Sequence, residues 1–212
     1  MSTVTSAAPA PLDRDCERRL AVYAEVLLKW QKKINLVGPS TTGDLRARHF
    51  DDSLQLLPLA GAWLNWVDLG SGAGFPGLVI AIAAGGGERR VHLVESDKRK
   101  AAFLREVSRE THADVEIYAD RIERVLPELI ATTHFDIVSA RALAPLETLI
   151  GYARPILEKG GVGLFLKGKG LSGELTAAVT GSTLRLDFFD SRTDIDAKIV
   201  VVRGHNSQTN SV

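Results

Sequence analysis

Between Val67 and Ile82 the chain reads VDLGSGAGFPGLVIAI, with glycines at 70, 72, 74 and 77 set between two apolar runs. Glycines at that density leave the backbone uncovered, which is what a ligand lying across a strand-to-helix turn requires. The spacing of Gly70, Gly72 and Gly74 is G-x-G-x-G, and Phe75 stands where the dinucleotide fingerprint has its third glycine. No Gly-Lys-Ser/Thr follows, so the phosphate loop of nucleoside triphosphatases is absent as well. S-adenosylmethionine carries an adenosine but no phosphate and needs only the bare backbone. With no ligand, the same stretch would be a tight turn. Glu95 closes VHLVE about 20 residues beyond the loop, where a carboxylate accepts hydrogen bonds from ribose hydroxyls. Alternatively it caps a helix or faces solvent. The segment ADRIE, ending in Ile122 and Glu123, falls where adenine would lie, and Arg141 in SARA could pair with a carboxylate or phosphate through its planar fork or stay solvated.

These residues sit at the ends of short apolar runs, and the runs alternate with helical patterns. WVDLG, RVHLVE, DVEIYA, FDIVSA and GVGLFLKG read as strands; helices are expected over Gly77–Ala84, Lys98–Thr111, Glu123–Ala131, Pro145–Arg154 and Ser172–Thr180. Such alternation implies a mainly parallel α/β sheet covered on both faces, with ligands bound beyond the carboxyl ends of its strands. TLRLDFFDS and AKIVVVRG have only a short connection and predict an antiparallel hairpin at the sheet edge. Ahead of the loop, Leu20, Tyr23, Leu27, Trp30 and Ile34 recur at helical spacing and predict a helix from Leu12 to Val37, followed by a second over Gly43–Leu59. The expected division is a tail and helical extension over residues 1–62, a core over 63–204 and a loose end over 205–212.

At 212 residues, 45% hydrophobic and 25% charged, the composition is that of a globular chain with room for one well-buried domain. Its formal net charge of zero means that any nucleic acid must be held by a local patch. Cys16 is the one cysteine, which excludes an intramolecular disulfide and fits a reducing compartment. No apolar run approaches the roughly 18 residues of a membrane span, and the expectation is a cytoplasmic monomer without metal.

INLVG, RHFDDSL, VDLGSGAGFPG, LVESDKRKAAFL, DRIE, SARA and LKGKG, in this order over about residues 20–170, resemble the ribosomal RNA small-subunit methyltransferase G family, also called glucose-inhibited division protein B. The resemblance implies a Rossmann-like methyltransferase core with an N-terminal helical extension. It also implies methyl transfer from S-adenosylmethionine to N7 of one guanine in 16S ribosomal RNA, within the small subunit or its assembly intermediate. By motif it assigns cofactor contacts to Gly70, Phe75, Ile122, Glu123 and Arg141. Ile122 stands where the family commonly has a smaller residue, a departure that a contact through the backbone survives and a side-chain role does not.

The residues agree with that reaction. N7 of guanine presents an in-plane lone pair and needs no general base, so positioning can carry catalysis, with Arg141 and Lys167 the candidate groups. The cysteine that pyrimidine C5 methylation uses has no counterpart near a strand end, and SARALAPL replaces the Asn/Asp-Pro-Pro-aromatic motif of amine methyltransferases. Candidate RNA contacts are Arg46, Arg48 and His49 on the second helix, Lys98 to Lys100, and Lys167 with Lys169. Lys98 to Lys100 equally suit a solvated helix face, His49 could tie the N-terminal helices to the core, and Phe75 could stack on a base or pack under the loop. A small-molecule or protein methyltransferase, or an RNA-binding assembly factor without activity, would use the same fold.

Overall fold

The computed structural model describes residues 10–171, 173–174 and 184–204. Its centre is a seven-stranded sheet of β1 (Asn65–Leu69), β2 (Arg90–Val94), β3 (Val115–Tyr118), β4 (Ile137–Arg141), β5 (Val162–Lys167), β6 (Leu184–Asp190) and β7 (Lys198–Gly204), in the order β3-β2-β1-β4-β5-β7-β6. The first five are mutually parallel. The expected antiparallel hairpin is present at the sheet edge: β7 pairs with both β5 and β6, so β7 lies inside the sheet and β6 forms the edge. Along β1 the side chains alternate between two cores. Trp66 joins Leu93 and Ile137 on one face, and Val67 and Leu69 join Val138 on the other.

Helices α1 (Arg14–Gln31), α4 (Gly77–Ala84) and α5 (Lys98–Thr111) cover the first face; α6 (Ile122–Thr132) and α7 (Leu146–Glu158) cover the second. Asp13 starts α1 by accepting the Cys16 N–H at 2.7 Å. The helix stops at Gln31, short of the expected Val37, because the Gln31 side chain accepts from the Leu36 and Val37 amides and donates to the Val37 carbonyl, which folds the chain into a turn. Arg19 clamps α1 to two helix ends, donating to the carbonyls of Thr111, His112 and Ile82.

The helix expected over Gly43–Leu59 is not continuous. It is a 3₁₀ turn (Pro39–Asp44), a wide π turn (Arg46–Asp51) and two short pieces, α2 (Asp52–Leu54) and α3 (Leu57–Ala60). Pro58 lacks the N–H that would continue the ladder, and polar side chains turned back on the backbone, such as Ser53 to the His49 carbonyl at 2.6 Å, compete with regular helix. α7 runs past Arg154 through Pro155 to Glu158, since Ile156 and Leu157 are buried in the second core. The helix expected over Ser172–Thr180 lies outside the described residues except for Gly173 and Glu174, as do the tails 1–9 and 205–212. Among the described residues no helix is long and apolar enough to cross a membrane.

The strand order turns back between β1 and β4, and the crevice of such a sheet opens there, at the carboxyl ends.

Candidate active site

A cavity of about 440 Å³ occupies that crevice, and Gly70, Gly72, Phe75, Glu95, Ile122, Glu123 and Arg141 all border it. The sequence separates Gly70 from Arg141 by 71 positions; the parallel strands bring them to one rim. Gly72 has a φ of +57°, and a Cβ there would meet nothing nearer than the Gly70 carbonyl at 3.7 Å, so its face toward the cavity is open. Its amide donates to Glu95 Oε2 at 2.8 Å, while Glu95 Oε1 accepts the Asp97 amide at 2.7 Å. The carboxylate therefore braces the glycine loop against the start of α5, and each oxygen keeps a second acceptor position for a ribose. Asp97 caps α5 through the Arg99 amide at 2.8 Å.

The Ile122 side chain is buried in the second core, leaving its backbone to face the cavity. Its amide and that of Glu123 belong to the first turn of α6, where N–H groups have no intrahelical acceptor. Glu123 accepts the Tyr152 hydroxyl at 2.5 Å, and that bond holds its carboxyl below the ordinary value. Beneath the loop, fully buried Asp68 accepts Ser139 Oγ at 2.7 Å and the Gly77 amide at 3.2 Å; burial, only partly offset by these bonds, raises it to about 6.

Arg141 is not solvated. One guanidinium nitrogen donates to Asp52 Oδ2 at 3.1 Å and the other to His49 Nδ1 at 2.7 Å, and the group lies 4.9 Å from the centre of the Phe75 ring. His49 is stacked on that ring at 4.8 Å, with Tyr23 stacked on it at 5.5 Å. Phe75 is thus packed under the loop, and His49 ties the helical extension to the core. A guanidinium can only donate, so Nδ1 accepts and Nε2 carries the proton toward Thr41 Oγ1 at 2.9 Å. Burial first, then the charges of Arg141 and Arg48, lower His49 to about 4. The unfolded chain takes up its proton near pH 6.5, the folded one only near 4; between these the unfolded state binds more protons, so stability falls as pH falls. We expect His49 to contribute up to about 3 kcal/mol of acid destabilisation over that window. Urea titrations at stepped pH should show this slope flattened in His49→Asn.

Arg46, Arg48, Lys167 and Lys169, also expected at the RNA, are engaged within the protein, whereas Lys98 and Lys100 form no ion pair among the described residues. Arg46 pairs with Glu17 and with Asp51, Arg48 with Asp194 at 2.9 Å, and Lys169 with Asp196 at 2.8 Å. Lys167, nearly buried, pairs with Glu174 at 2.8 Å and donates to the Ala144 carbonyl. It does not border the cavity. Asp52 and Tyr23 were the residues least visible in advance: the first holds Arg141, and the hydroxyl of the second donates to the Ala73 carbonyl of the loop. In the sequence Tyr23 is one more member of an apolar stripe.

The bare Gly72, an acid placed for a ribose and the first-turn amides of α6 fit an adenosine-bearing cofactor without phosphate. Fold and cavity together define a Rossmann-like, S-adenosylmethionine-dependent methyltransferase. Two solved structures share the architecture: the O-methyltransferase from Bacillus cereus in complex with SAH (TM-score 0.56, 15% identity, covering 91% of this chain and 92% of that one), and an rRNA methylase from Streptococcus thermophilus (TM-score 0.53, 14% identity, 69% and 91%). The family model for rRNA small subunit methyltransferase G matches residues 16–187. Relatives bearing that name include one from Paramagnetospirillum magneticum, 50% identical over 91% of this chain and 90% of its own. Another, from Methylobacterium radiotolerans, is 47% identical over 92% and 91%. The chain belongs to the rRNA small subunit methyltransferase G family.

Proposed function

We propose that this protein transfers a methyl group from S-adenosylmethionine to N7 of a guanine in 16S ribosomal RNA, acting in the cytoplasm on the small subunit or its assembly intermediate. The observation that carries the reading is the cavity at the β1/β4 crevice, bordered by the glycine loop, Glu95, Ile122, Glu123 and Arg141, in a chain of this family. When bound, S-adenosylmethionine supplies an electrophilic methyl on sulfur. Gly72 offers uncovered backbone to its methionine part beside Gly70, which is overlaid by Leu143, Glu95 accepts from the ribose, and the Ile122 and Glu123 amides meet the adenine. Arg141, held by Asp52, His49 and Phe75, keeps a charged fork at the boundary between cofactor and incoming base. N7 attacks with a lone pair it already has, so no group needs to take a proton before transfer. Positioning of this kind is worth up to about 7 to 11 kcal/mol.

The test is transfer of radiolabelled methyl to ribosomal RNA from cells lacking the protein, offered naked and as small subunits. Label in 16S RNA, with chain cleavage at one guanine after reduction and aniline treatment, is the expected result. Label on a metabolite or protein alone, or none despite cofactor binding, would overturn it. Gly72→Asp should abolish labelling while the protein stays folded: aspartate tolerates the left-handed backbone, the new Cβ meets nothing nearer than the Gly70 carbonyl oxygen at 3.7 Å, and a negative charge is added beside Glu95 at the cavity. Thermal unfolding near the wild-type temperature, with methyl transfer lost, is the expected pair of readings.

A further inference from the structure

Of the cations expected at the RNA, Arg46, Arg48, Lys167 and Lys169 are neutralised by acids of this chain, whereas Lys98 and Lys100 are not, which raises the question of how far an uncompensated positive surface extends. It lies on the other side of the cavity. Lys29 is in the last turn of α1 and Lys32 and Lys33 follow it; Lys98, Arg99 and Lys100 make up the first turn of α5. In residues 29–36 and 96–100 the only carboxylate is Asp97, and it caps α5. Among the described residues Lys29, Lys32, Lys33, Lys98 and Lys100 form no ion pair, and Arg99 reaches Asp97 only at 3.7 Å.

The two clusters are neighbours because α1 and α5 run antiparallel. Arg19, near the start of α1, holds the carbonyls at the end of α5, while Trp30, at the end of α1, meets Phe103 in the first half of α5 at 5.9 Å. Leu36 and Lys100 border the same cavity as the glycine loop, so the basic ridge starts at the mouth of the site. Lys32, Lys33 and Lys98 are exposed. Helix stability does not account for three cations at the start of α5, where the positive end of the macrodipole disfavours them. In a chain of zero net charge, this ridge is a local concentration of positive charge.

We propose that this α1/α5 ridge binds the phosphodiester backbone of the RNA whose guanine enters the cavity. The proposal rests on the reading of the protein as an enzyme acting on RNA. Phosphate contacts of this kind supply affinity and orientation, leaving base choice to the cavity.

The test is the full-length triple variant Lys32→Ala/Lys33→Ala/Lys98→Ala, which leaves Lys100 in place at the cavity. Filter binding of 16S ribosomal RNA from about 50 to about 200 mM KCl reads the salt slope. Three lost contacts should flatten log Kd against log salt by about 2 to 3 and weaken binding at least about tenfold at the low-salt end. In the methyl-transfer assay KM for RNA should rise while kcat at saturating RNA and S-adenosylmethionine affinity stay as in the wild type, a split that general destabilisation would not produce. An unchanged slope with an RNA-binding wild type would overturn the ridge and leave the proposed function standing. A wild type that neither binds nor labels RNA would overturn both.

Discussion

Gly74→Ala is expected to destabilise the protein by on the order of 3 to 5 kcal/mol, and to lower its Tm by about 10 °C. Gly74 holds a φ of +90°, and a Cβ built there would lie 2.5 Å from the Tyr23 hydroxyl oxygen, 2.9 Å from Leu78 Cβ and 3.1 Å from Leu104 Cδ2. Backbone strain and overpacking therefore add. None of the three neighbours is free to yield: Tyr23 is fully buried and held to the Ala73 carbonyl, and Leu78 and Leu104 are core residues of α4 and α5. Gly85→Ala is the control, with a φ of +72° and nothing within 4 Å of the new Cβ; it should lose only the strain, about 1 kcal/mol. Equal losses in the two variants, measured by urea unfolding, would show that the approach of Tyr23 to the loop is not what demands glycine.

Asp52→Ala is expected to cost about 3 kcal/mol and to depress methyl transfer as well, because Asp52 joins three segments. Its Oδ2 accepts from Arg141; its Oδ1 accepts from Gln55 at 2.8 Å and from Thr193 in the β6–β7 turn at 2.8 Å. Its side chain and that of Arg141 are only 12% and 19% exposed, so truncation leaves a poorly solvated cation short of its counter-charge, an unfavourable state of that size. With Asp52 gone, Arg141 retains His49, the Phe75 face and a longer bond to the Arg48 carbonyl at 3.3 Å, but no counter-charge to hold its fork at the cavity. A double-mutant cycle with Arg141→Ala separates the parts: the two losses should be strongly non-additive. Additive effects on methyl transfer would mean that Asp52 does not act through Arg141.

The parallel sheet and the cavity rim were legible in the sequence because both are written locally. Glycine spacing marks the loop, and an apolar run ending in Glu95 or Arg141 marks a strand end. What was not legible is three-dimensional. Arg46, Arg48 and Lys167 look like free cations in the chain, and only the fold brings Glu17, Asp194 and Glu174 to them. For His49 the sequence left two readings, an RNA contact or a tie to the core, and the π turn that stacks its ring on Phe75 decides for the second. The basic runs at Lys29–Lys33 and Lys98–Lys100 could be read singly as solvated helix faces. Their adjacency depends on the antiparallel packing of α1 on α5, which no local pattern records.

The position of β7 bears on how the chain comes to be built. Its buried run Ile199–Val202 lies between β5 and β6, so β6 has no partner strand until the chain that follows it has been synthesised. Until then the outer edge of β5 presents unpaired backbone to the cell, a surface prone to off-pathway association. During synthesis from the N-terminus, the glycine loop, Glu95, Glu123 and Arg141 all emerge before that edge is closed. The pairing of both β5 and β6 is therefore complete only once β7 has been made.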